Sequence, residues 1–482
     1  MGGCAVGPDF RRPAPPAVGD YSTTPTASTV ATTNVAGGEA QRFANGINLP
    51  EDWWTLFHSQ PLNALIEQSI TNNPDLKAAQ AALAVARENV LAQRGAFFPS
   101  VAGSFSASRQ KQSELIAPGL NYPVVPYEFQ YNLFTPEVSV AYSPDVFGAN
   151  RRTLESLKAQ EQGVRYQMIA TYTTLTANVA VTAIQAGAVQ MQIDAAEQLI
   201  EINSNMVQIL RYQLTKGYAS RLDLLAQESQ LAQAIALRPP LLKQLAQLRD
   251  LLAALAGRFP NQAPTEKFEL SSLKLPEELP LSLPSQLVEQ RPDVLQAEAN
   301  LHAASAQIGI AVANRLPNIT LTANAGSTAI ALDKIFTSGT GFWGLGAAAT
   351  APLFDGGTLL HQERAARAVF KQAAAQYRST VLTAFQNVAD TLAALEQDAE
   401  GLKAAATAAD DAQATLDLSK CQWQDGYISF LTLLSAEQAY QQARINLVQA
   451  QANRYSDTAA LFQALGGGWW HRADFTSKDK HE

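Results

Sequence analysis

Side chains at spacings that support chemistry are sparse in this sequence. No Gly-x-Ser-x-Gly nucleophile motif is present. Residues 339–344 fit the letters of the dinucleotide-binding motif, but they precede a predicted strand instead of joining a strand to a helix. The five histidines show none of the spacings of zinc ligands: His58, His302, His361, His471 and His481. The sequence therefore indicates neither an enzyme nor a bound metal or cofactor.

The number of cysteines and the net charge of the chain further narrow the class of protein. Cys4 and Cys421 are too few and too far apart for a disulfide framework, and Cys421 is expected to be a packed, inert helix residue. The chain has 35 basic and 43 acidic side chains, a net charge of -8, and no block rich in Lys and Arg, which excludes nucleic acid as a partner. Asp410 and Asp411 are expected to form a solvated helix patch or, facing a lumen, to tune ion preference.

The elements that must position the remaining polar residues form an internal repeat. Residues 73–100 match 291–318 at an offset of 218, with prolines at corresponding positions. Further along, Gly-Tyr-Ala-Ser at 217–220 matches Gly-Tyr-Ile-Ser at 426–429 at an offset of 209. The first copy therefore holds about ten extra residues, which we assign to a loop at 112–128. The whole chain is predicted to be a duplicated unit.

Each copy is predicted to contain a helix, two strands, and two very long helices that meet at the Gly-Tyr turn. The outgoing helices, 148–215 and 356–424, would each run on the order of 100 Å at ~1.5 Å per residue. In the first returning helix Pro239 and Pro240 predict a break. The fourth strand segment, 343–351, alternates only weakly between polar and apolar residues. The other three segments alternate clearly, and their apolar residues are Val101, Phe105 and Ala107; Phe134, Val138, Val140 and Tyr142; and Ile319, Leu321, Ala323 and Ala325.

The segment before the repeat has a different composition. Residues 5–50 are rich in Pro, Thr, Ser and Gly and are expected to be extended, forming neither helix nor strand. Trp53 and Trp54 are expected either to anchor this segment against the helices or simply to fill core.

A membrane crossing, if there is one, must use strands. No run of about 20 strongly apolar residues is present, whereas each strand segment is near the roughly 9–11 residues that a tilted membrane strand needs. A four-stranded sheet leaves two edges, which lipid does not tolerate, and about eight strands is the least that closes a barrel. Closure would therefore require several chains.

Five motifs occur together, at 4–13, 53–54, 291–294, 426–434 and 464–469. Jointly they make the chain resemble the TolC-like outer-membrane factors, in particular the lipoprotein (NodT-type) branch of multidrug and metal efflux channels. The resemblance covers essentially the whole chain.

The resemblance implies a mainly α-helical fold with a membrane β-barrel part. In a homotrimer, each protomer would give four strands to a twelve-stranded outer-membrane barrel, which a long periplasmic α-helical barrel continues. It also implies a passive exit duct for drugs or other small toxic solutes, located in the bacterial outer membrane and contributing to antibiotic resistance. A periplasmic adaptor (membrane fusion) protein and an inner-membrane transporter are the expected partners, and no cofactor is needed.

The expected division of the chain follows from the repeat and the resemblance. In order, it comprises a lipid-anchored extended segment (1–60), periplasmic helices (61–96), two barrel strands with an extracellular loop (97–147), a long coiled-coil hairpin (148–256), an equatorial connection (257–290), a helix (291–315), two further strands with a loop (316–354), a second hairpin (355–465) and a C-terminal tail (466–482).

The hairpin tips are the expected functional site. Similar family members commonly carry aspartates just beyond the Gly turn, whereas Thr432 and Ser435 occupy those positions here, and neutral residues form no anionic ring. Leu431 is expected either to narrow the periplasmic aperture as an apolar ring or only to pack the helix, and Asp223 supplies residual acidity. The expected adaptor-docking surface comprises Gly217, Tyr218, Ser220, Gly426, Tyr427 and Ser429, where glycine also permits the tight turn.

A different class stays open at this point, namely a structural or adhesive trimeric coiled-coil surface protein without channel activity. Such a protein would share long Ala- and Gln-rich helices. It would have no reason to carry four alternating segments or a duplicated tip.

Cys4 follows Gly3 as at a lipoprotein cleavage site, and we expect it to carry lipid such as palmitate in the native protein. Residues 1–3 are too short for a signal peptide, so a native leader is expected to precede them. Because one acyl anchor binds membranes marginally, the lipid would assist a protein that its strands already hold.

The change Cys4→Ala is expected to abolish lipid incorporation, because it removes the thiol that would be acylated. Mass spectrometry of the N-terminal peptide, from protein produced with a lipoprotein leader, checks this. Cys421→Ala is the matched control and should retain the lipid. Lipid found on the Cys4→Ala protein would contradict the assignment.

Overall fold

The structure is a computed structural model that describes residues 5–21, 27–47, 49–111, 130–263, 268–472 and 475. The chain divides into two compact units. Unit 1 comprises Met1–Arg12, Ala84–Gly163 and Glu298–Gln376. Unit 2 comprises Pro13–Leu83, Val164–Ala297 and Tyr377–Glu482. Cys4 and the loop predicted at 112–128 lie outside the described residues.

The long helices occur as matched pairs, as a duplicated unit requires. Helices α3 (Ala149–Thr215) and α7 (Thr358–Gln424) have 67 residues each, and α4 (Arg221–Leu255) and α8 (Phe430–Ala464) have 35 each. The other helices are α1 (Gln60–Asn72), α2 (Pro74–Arg94), α5 (Pro284–Gln290) and α6 (Pro292–Ala313). The strands are β1 (Arg42–Asn45), β2 (Ser100–Lys111), β3 (Gln130–Tyr142), β4 (Glu278–Leu281), β5 (Asn318–Ser327) and β6 (Gly341–Thr350).

None of the helices in the described part of the chain has both the length and the apolar character needed to span a membrane.

Unit 1 is built on a four-stranded antiparallel sheet in the order β2-β3-β5-β6. Its register aligns the apolar positions of all four strands: Val101 lies opposite Val140, Val140 opposite Ala323, and Ala323 opposite Leu345. Directly paired residues point to the same face of a sheet, so the predicted alternation produces one continuous apolar face. Val101 and Leu345 are largely exposed, and within the described residues β2 and β6 pair on one side only.

The opposite face of this sheet is polar. Ser139 lies opposite Asn324, and the Asn324 amide donates a hydrogen bond of 3.0 Å to the Glu137 carboxylate of the neighbouring strand. The sheet therefore has one face suited to lipid and one suited to water.

Unit 2 contains the same kind of junction in both copies. The end of a returning helix, α4 or α8, contacts the residue that precedes an earlier helix, α2 or α6. In the first copy the Asn73 side chain caps α2, accepting from the backbone N–H groups of Asp75 and Leu76 at 2.9 and 3.1 Å, and donates to the Leu255 carbonyl at 2.9 Å. In the second copy the Arg291 guanidinium donates to the Ala464 carbonyl at 2.9 Å. Different side chains therefore bind the last carbonyls of α4 and α8, which otherwise lack helical partners.

Glycine is required just after these junctions. Gly257 and Gly466 have φ values of 69° and 102°, and a Cβ atom would lie 2.6 Å from the Asn72 carbonyl oxygen at Gly257 and 2.9 Å from the Gln290 carbonyl oxygen at Gly466. Both positions thus exclude other residues by backbone angle and by space.

The segment before the repeat belongs to unit 1 up to Arg12 and to unit 2 from Pro13 onward. Trp53 and Trp54 are buried, and the Trp53 ring lies 5.4 Å from that of Phe462 on α8, so the pair both anchors this segment and fills core. The expectation that residues 5–50 form no strand is wrong at Arg42–Asn45, which pairs in parallel with Glu278–Leu281. The partner strand comes from a distant part of the chain, and local composition carries no information about it.

Two further expectations need correction. Pro239 and Pro240 do not break α4, which runs continuously from Arg221 to Leu255. The two prolines remove two helical hydrogen bonds, but the surrounding side chains are exposed, so water can reach the carbonyls left without donors. Cys421 is exposed in the last turn of α7 rather than packed.

The region 257–290, expected to be an equatorial connection, contains a short helix, α5, which begins at Pro284.

The change Gly466→Ala is expected to lower the stability of the folded protein by roughly 1–3 kcal/mol, because the new side chain adopts a strained φ against the Gln290 carbonyl. The midpoint of thermal unfolding, followed by circular dichroism, measures the effect. Gly19→Ala is the control, since a Cβ atom there meets nothing within 4 Å. Equal unfolding midpoints for the two variants would contradict this assignment.

Candidate functional site

The first hairpin tip is a tight turn at the end of α3. Gly217 has a φ of 79°, its N–H donates to the Leu214 carbonyl at 3.1 Å, and the Tyr218 N–H donates to the Gln213 carbonyl at 2.9 Å. This pair of bonds is the Schellman ending of a helix, which needs a residue in the left-handed region. A Cβ at Gly217 would meet no atom within 4 Å, so backbone angle alone requires glycine here.

The second tip has the same geometry. Gly426 also has a φ of 79°, its N–H donates to the Trp423 carbonyl at 3.0 Å, and the Tyr427 N–H donates to the Gln422 carbonyl at 2.8 Å. The predicted equivalence of the two Gly-Tyr turns therefore extends to individual backbone hydrogen bonds. Both tyrosine side chains are highly exposed.

The returning helices begin with different caps. Ser220 and Asp223 form a capping box: the Ser220 hydroxyl accepts from the Asp223 N–H at 3.1 Å, and the Asp223 carboxylate accepts from the Ser220 N–H at 3.1 Å. The Ser220 hydroxyl also donates to that carboxylate at 2.7 Å. Asp223 is therefore a cap as well as the acidic residue predicted at the aperture, and its negative charge at a helix N-terminus is stabilising.

In the second copy Ser429 caps α8 by accepting from the Thr432 N–H at 3.3 Å, and the Ser429 and Thr432 hydroxyls lie 3.0 Å apart. Thr432 has no carboxylate to complete a capping box. The Ser435 hydroxyl donates to the Leu431 carbonyl at 3.0 Å, so its donor is used within the helix. The cap of α8 therefore contains no acidic side chain, although the exposed Asp425 lies just before the turn.

The tips expose apolar side chains beside these caps. Leu431 is 53% exposed, and Leu222, which is its counterpart at an offset of 209, is 70% exposed. Leu222 was not among the predicted site residues, although the repeat that identified Asp223 as the equivalent of Thr432 also identifies it. An exposed leucine in both copies favours a surface role over plain packing.

A small core directly behind the tips holds them in place. Leu210, Leu416, Phe430 and Leu433 are buried together, with Ala219 and Leu224 of the first hairpin packed against them. Further along, the Gln438 amide donates to the Gln230 side chain at 2.9 Å, linking α8 to α4. The structure therefore brings the two predicted tips side by side within unit 2.

An acidic residue behind each tip was also missed in the sequence. In the first copy Glu228 forms an ion pair with Arg211 at 2.7 Å. Its counterpart Glu437 is only 3% exposed, with one carboxylate oxygen lacking a hydrogen-bond partner. Burial raises the pKa of Glu437, and the positive charge of Lys420 partly opposes that rise.

The tips contain no arrangement for catalysis. Their polar groups are engaged in helix caps, and among the described residues no cluster of His, Cys, Asp or Glu is suited to a metal ion. Asp410 and Asp411 are both exposed on α7, as a solvated patch would be. What the tips offer is an exposed surface on two paired, hydrogen-bonded turns.

Comparison with known proteins identifies the class of protein to which the chain is similar. A family model described as outer membrane efflux protein matches residues 65–258 and 283–467, one stretch in each copy. The probable efflux pump outer membrane protein TtgC of Pseudomonas putida is 30% identical over 480 residues, covering 98% of this chain and 94% of that protein. The outer membrane protein OprJ of Pseudomonas aeruginosa is 28% identical over 485 residues, covering 97% and 94%.

Solved structures of outer-membrane channels are also similar to this chain. The outer-membrane channel OprN has a TM-score of 0.84 and 27% identity, covering 97% of this chain and all of that chain (100%). The CmeC outer membrane channel of Campylobacter jejuni shares the fold, with a TM-score of 0.86 at 20% identity and coverage of 96% and 95%.

The chain belongs to the outer membrane efflux protein family. The predicted family is thereby confirmed, and so is the predicted class, an efflux channel of the outer membrane and not an enzyme.

Proposed function

We propose that the protein is the exit duct of a tripartite efflux pump, a homotrimer that conducts small toxic solutes passively from the periplasm to the exterior. The observation that carries this proposal is the sheet of unit 1, with one apolar face, one polar face and two edges unpaired within the described residues. Such a sheet is complete only when further strands cover its edges.

Three copies are the proposed solution. A barrel needs at least about eight strands, and three four-stranded sheets joined edge to edge would supply twelve. The apolar face, including Val101 and Trp343, would contact lipid. The polar face, including Glu137 and Asn324, would line the pore, where water solvates it.

The long helices would continue the duct into the periplasm. Relatives of this chain are named as toluene, solvent and antibiotic efflux pump proteins, which supports small organic toxins as the solutes exported here. In a passive duct the energy comes from elsewhere, so an inner-membrane transporter and a periplasmic adaptor are proposed partners. Lipid on Cys4 would add an anchor and assign the protein to the lipoprotein branch of the family.

The periplasmic aperture would lie at the tips. Leu431, repeated by three protomers around an axis, would form an apolar ring that impedes water and ions, since hydrophobic constrictions gate by dewetting. Thr432 and Ser435 would add neutral hydroxyls, and Asp223 of the first tip would add an acidic group. Adaptor engagement would move the paired tips apart.

The change Leu431→Ser is expected to raise single-channel conductance in planar lipid bilayers, and Leu431→Ala to raise it less, because each weakens the apolar ring. Leu382→Ser, at an exposed leucine of α7 far from the tip, is the matched control and should leave conductance unchanged. If the Leu431 variants conduct like the unaltered protein, the leucine has only a packing role.

The adaptor-docking surface would comprise the turn residues of both tips, Gly217, Tyr218, Ser220, Gly426, Tyr427 and Ser429. A photo-crosslinking amino acid at position 220 or 429 is therefore expected to capture the adaptor in cells, whereas one at Lys403, an exposed residue of α7 away from the turn, should not. Capture from position 403 alone would move the docking surface away from the tips.

A further inference from the structure

A cavity that is partly open to solvent lies in unit 2, between the four long helices and away from the tip surface. Its volume is about 340 Å³, and side chains of α3, α4, α7 and α8 all line it. That volume holds on the order of ten water molecules and falls within the size range of small-molecule sites. The lining residues Leu237 and Pro240 of α4 are exposed, so a ligand can enter from solvent.

The wall of the cavity is mostly apolar. Leu199 and Ile202 contribute from α3, Leu241 from α4 and Leu416 from α7. Pro240 also lines the cavity, and its counterpart in the second copy is Gln449. The two copies therefore differ at this position of the cavity wall.

Two cationic side chains also line the cavity. Lys420 and Arg444 are each half-buried, and neither forms an ion pair or hydrogen bond with another described residue. The counterpart of Lys420 in the first copy is Arg211, which is neutralised by Glu228 at 2.7 Å. The duplicated unit thus forms a close ion pair in one copy, whereas in the other Lys420 acts on the equivalent carboxylate, Glu437, only at longer range.

An unused hydrogen-bond donor accompanies the two cations. Gln441 lines the cavity, is 9% exposed, and its amide nitrogen Nε2 has no hydrogen-bond partner. A buried amide without a partner costs stability, so an acceptor at this position would stabilise the protein.

We propose that the cavity binds an amphipathic organic anion. Its apolar body would lie among Leu199, Ile202 and Leu416, and its carboxylate or sulfonate would accept from Gln441 and pair with Lys420 and Arg444. Hydrogen bonds from cationic donors to an anion are stronger than those between neutral groups. This site is separate from the aperture and from the docking surface, and it does not depend on the proposed efflux function.

No carboxylate is among the described residues that line the cavity. Glu437 lies near Lys420; burial raises the pKa of its carboxyl group, and the positive charge of Lys420 partly opposes that rise. Asp417 accepts from the amide of Gln413, a lining residue, at 3.0 Å and is exposed on α7. Lys420 and Arg444 are therefore the charged side chains among the described lining residues.

The occupant would contact both hairpins. Ligands that bind one arrangement of a protein stabilise that arrangement. We therefore expect binding to slow backbone hydrogen exchange at the four lining segments, near 195–202, 236–241, 413–420 and 440–445.

The test uses the full chain in lipid nanodiscs and three soluble probes of one shape: 2-naphthoate, 2-naphthylmethanol and 2-naphthylmethylammonium. Binding is measured by equilibrium dialysis against empty nanodiscs, with hydrogen exchange to locate the site. The anion is expected to bind at least about tenfold more tightly than the other two, as charge-assisted hydrogen bonds predict.

Two variants separate the site from lipid partitioning. Lys420→Gln combined with Arg444→Gln should weaken 2-naphthoate about tenfold and leave 2-naphthylmethanol unchanged, since it removes only charge. Ala195→Phe should abolish binding of both by filling the cavity, with an unchanged thermal unfolding midpoint as evidence of folding. Equal affinity for the three probes, or 2-naphthoate binding that survives Ala195→Phe in folded protein, would overturn the proposal.

Discussion

The open edges of the unit 1 sheet are the constraint on which the rest of the molecule depends. Strands β3 and β5 are paired on both sides, whereas the described residues leave one side of β2 and of β6 unpaired. Backbone groups without partners are not tolerated in lipid, and exposed apolar side chains such as Trp343 and Leu345 are unfavourable in water. Association with further copies resolves both problems, which is why a trimer is central to the proposed function.

The duplication lets each half of the chain repeat its geometry while the polar residues diverge. Asn73 and Arg291 bind the ends of equivalent helices with different chemistry, and Asp223 completes a cap that Thr432 leaves without a charge. Backbone requirements are conserved between the copies because a tight turn permits few alternatives. Charge is free to vary between the copies, and it differs at the tips, where Asp223 corresponds to Thr432.

Local and periodic features could be predicted from the sequence, whereas long-range features could not. The alternation around Val138 and the turn at Gly426 depend on neighbouring residues, and the structure has both. The pairing of Arg42–Asn45 with β4 joins distant segments and left no local signal. Pro239 predicted a break because proline removes helical bonds, yet the exposed surroundings let water reach the freed carbonyls, and α4 is continuous. The cavity was invisible in the sequence because four helices build it together.

The central claim is that copies of this chain close their sheets into one conducting barrel. The most direct measurement combines the mass of the purified protein in detergent, by light scattering corrected for bound detergent, with conductance after reconstitution into planar bilayers. We expect the mass of three chains and discrete, ohmic conductance steps. A protein that has the mass of one chain, or that forms trimers that are electrically silent, would contradict the account.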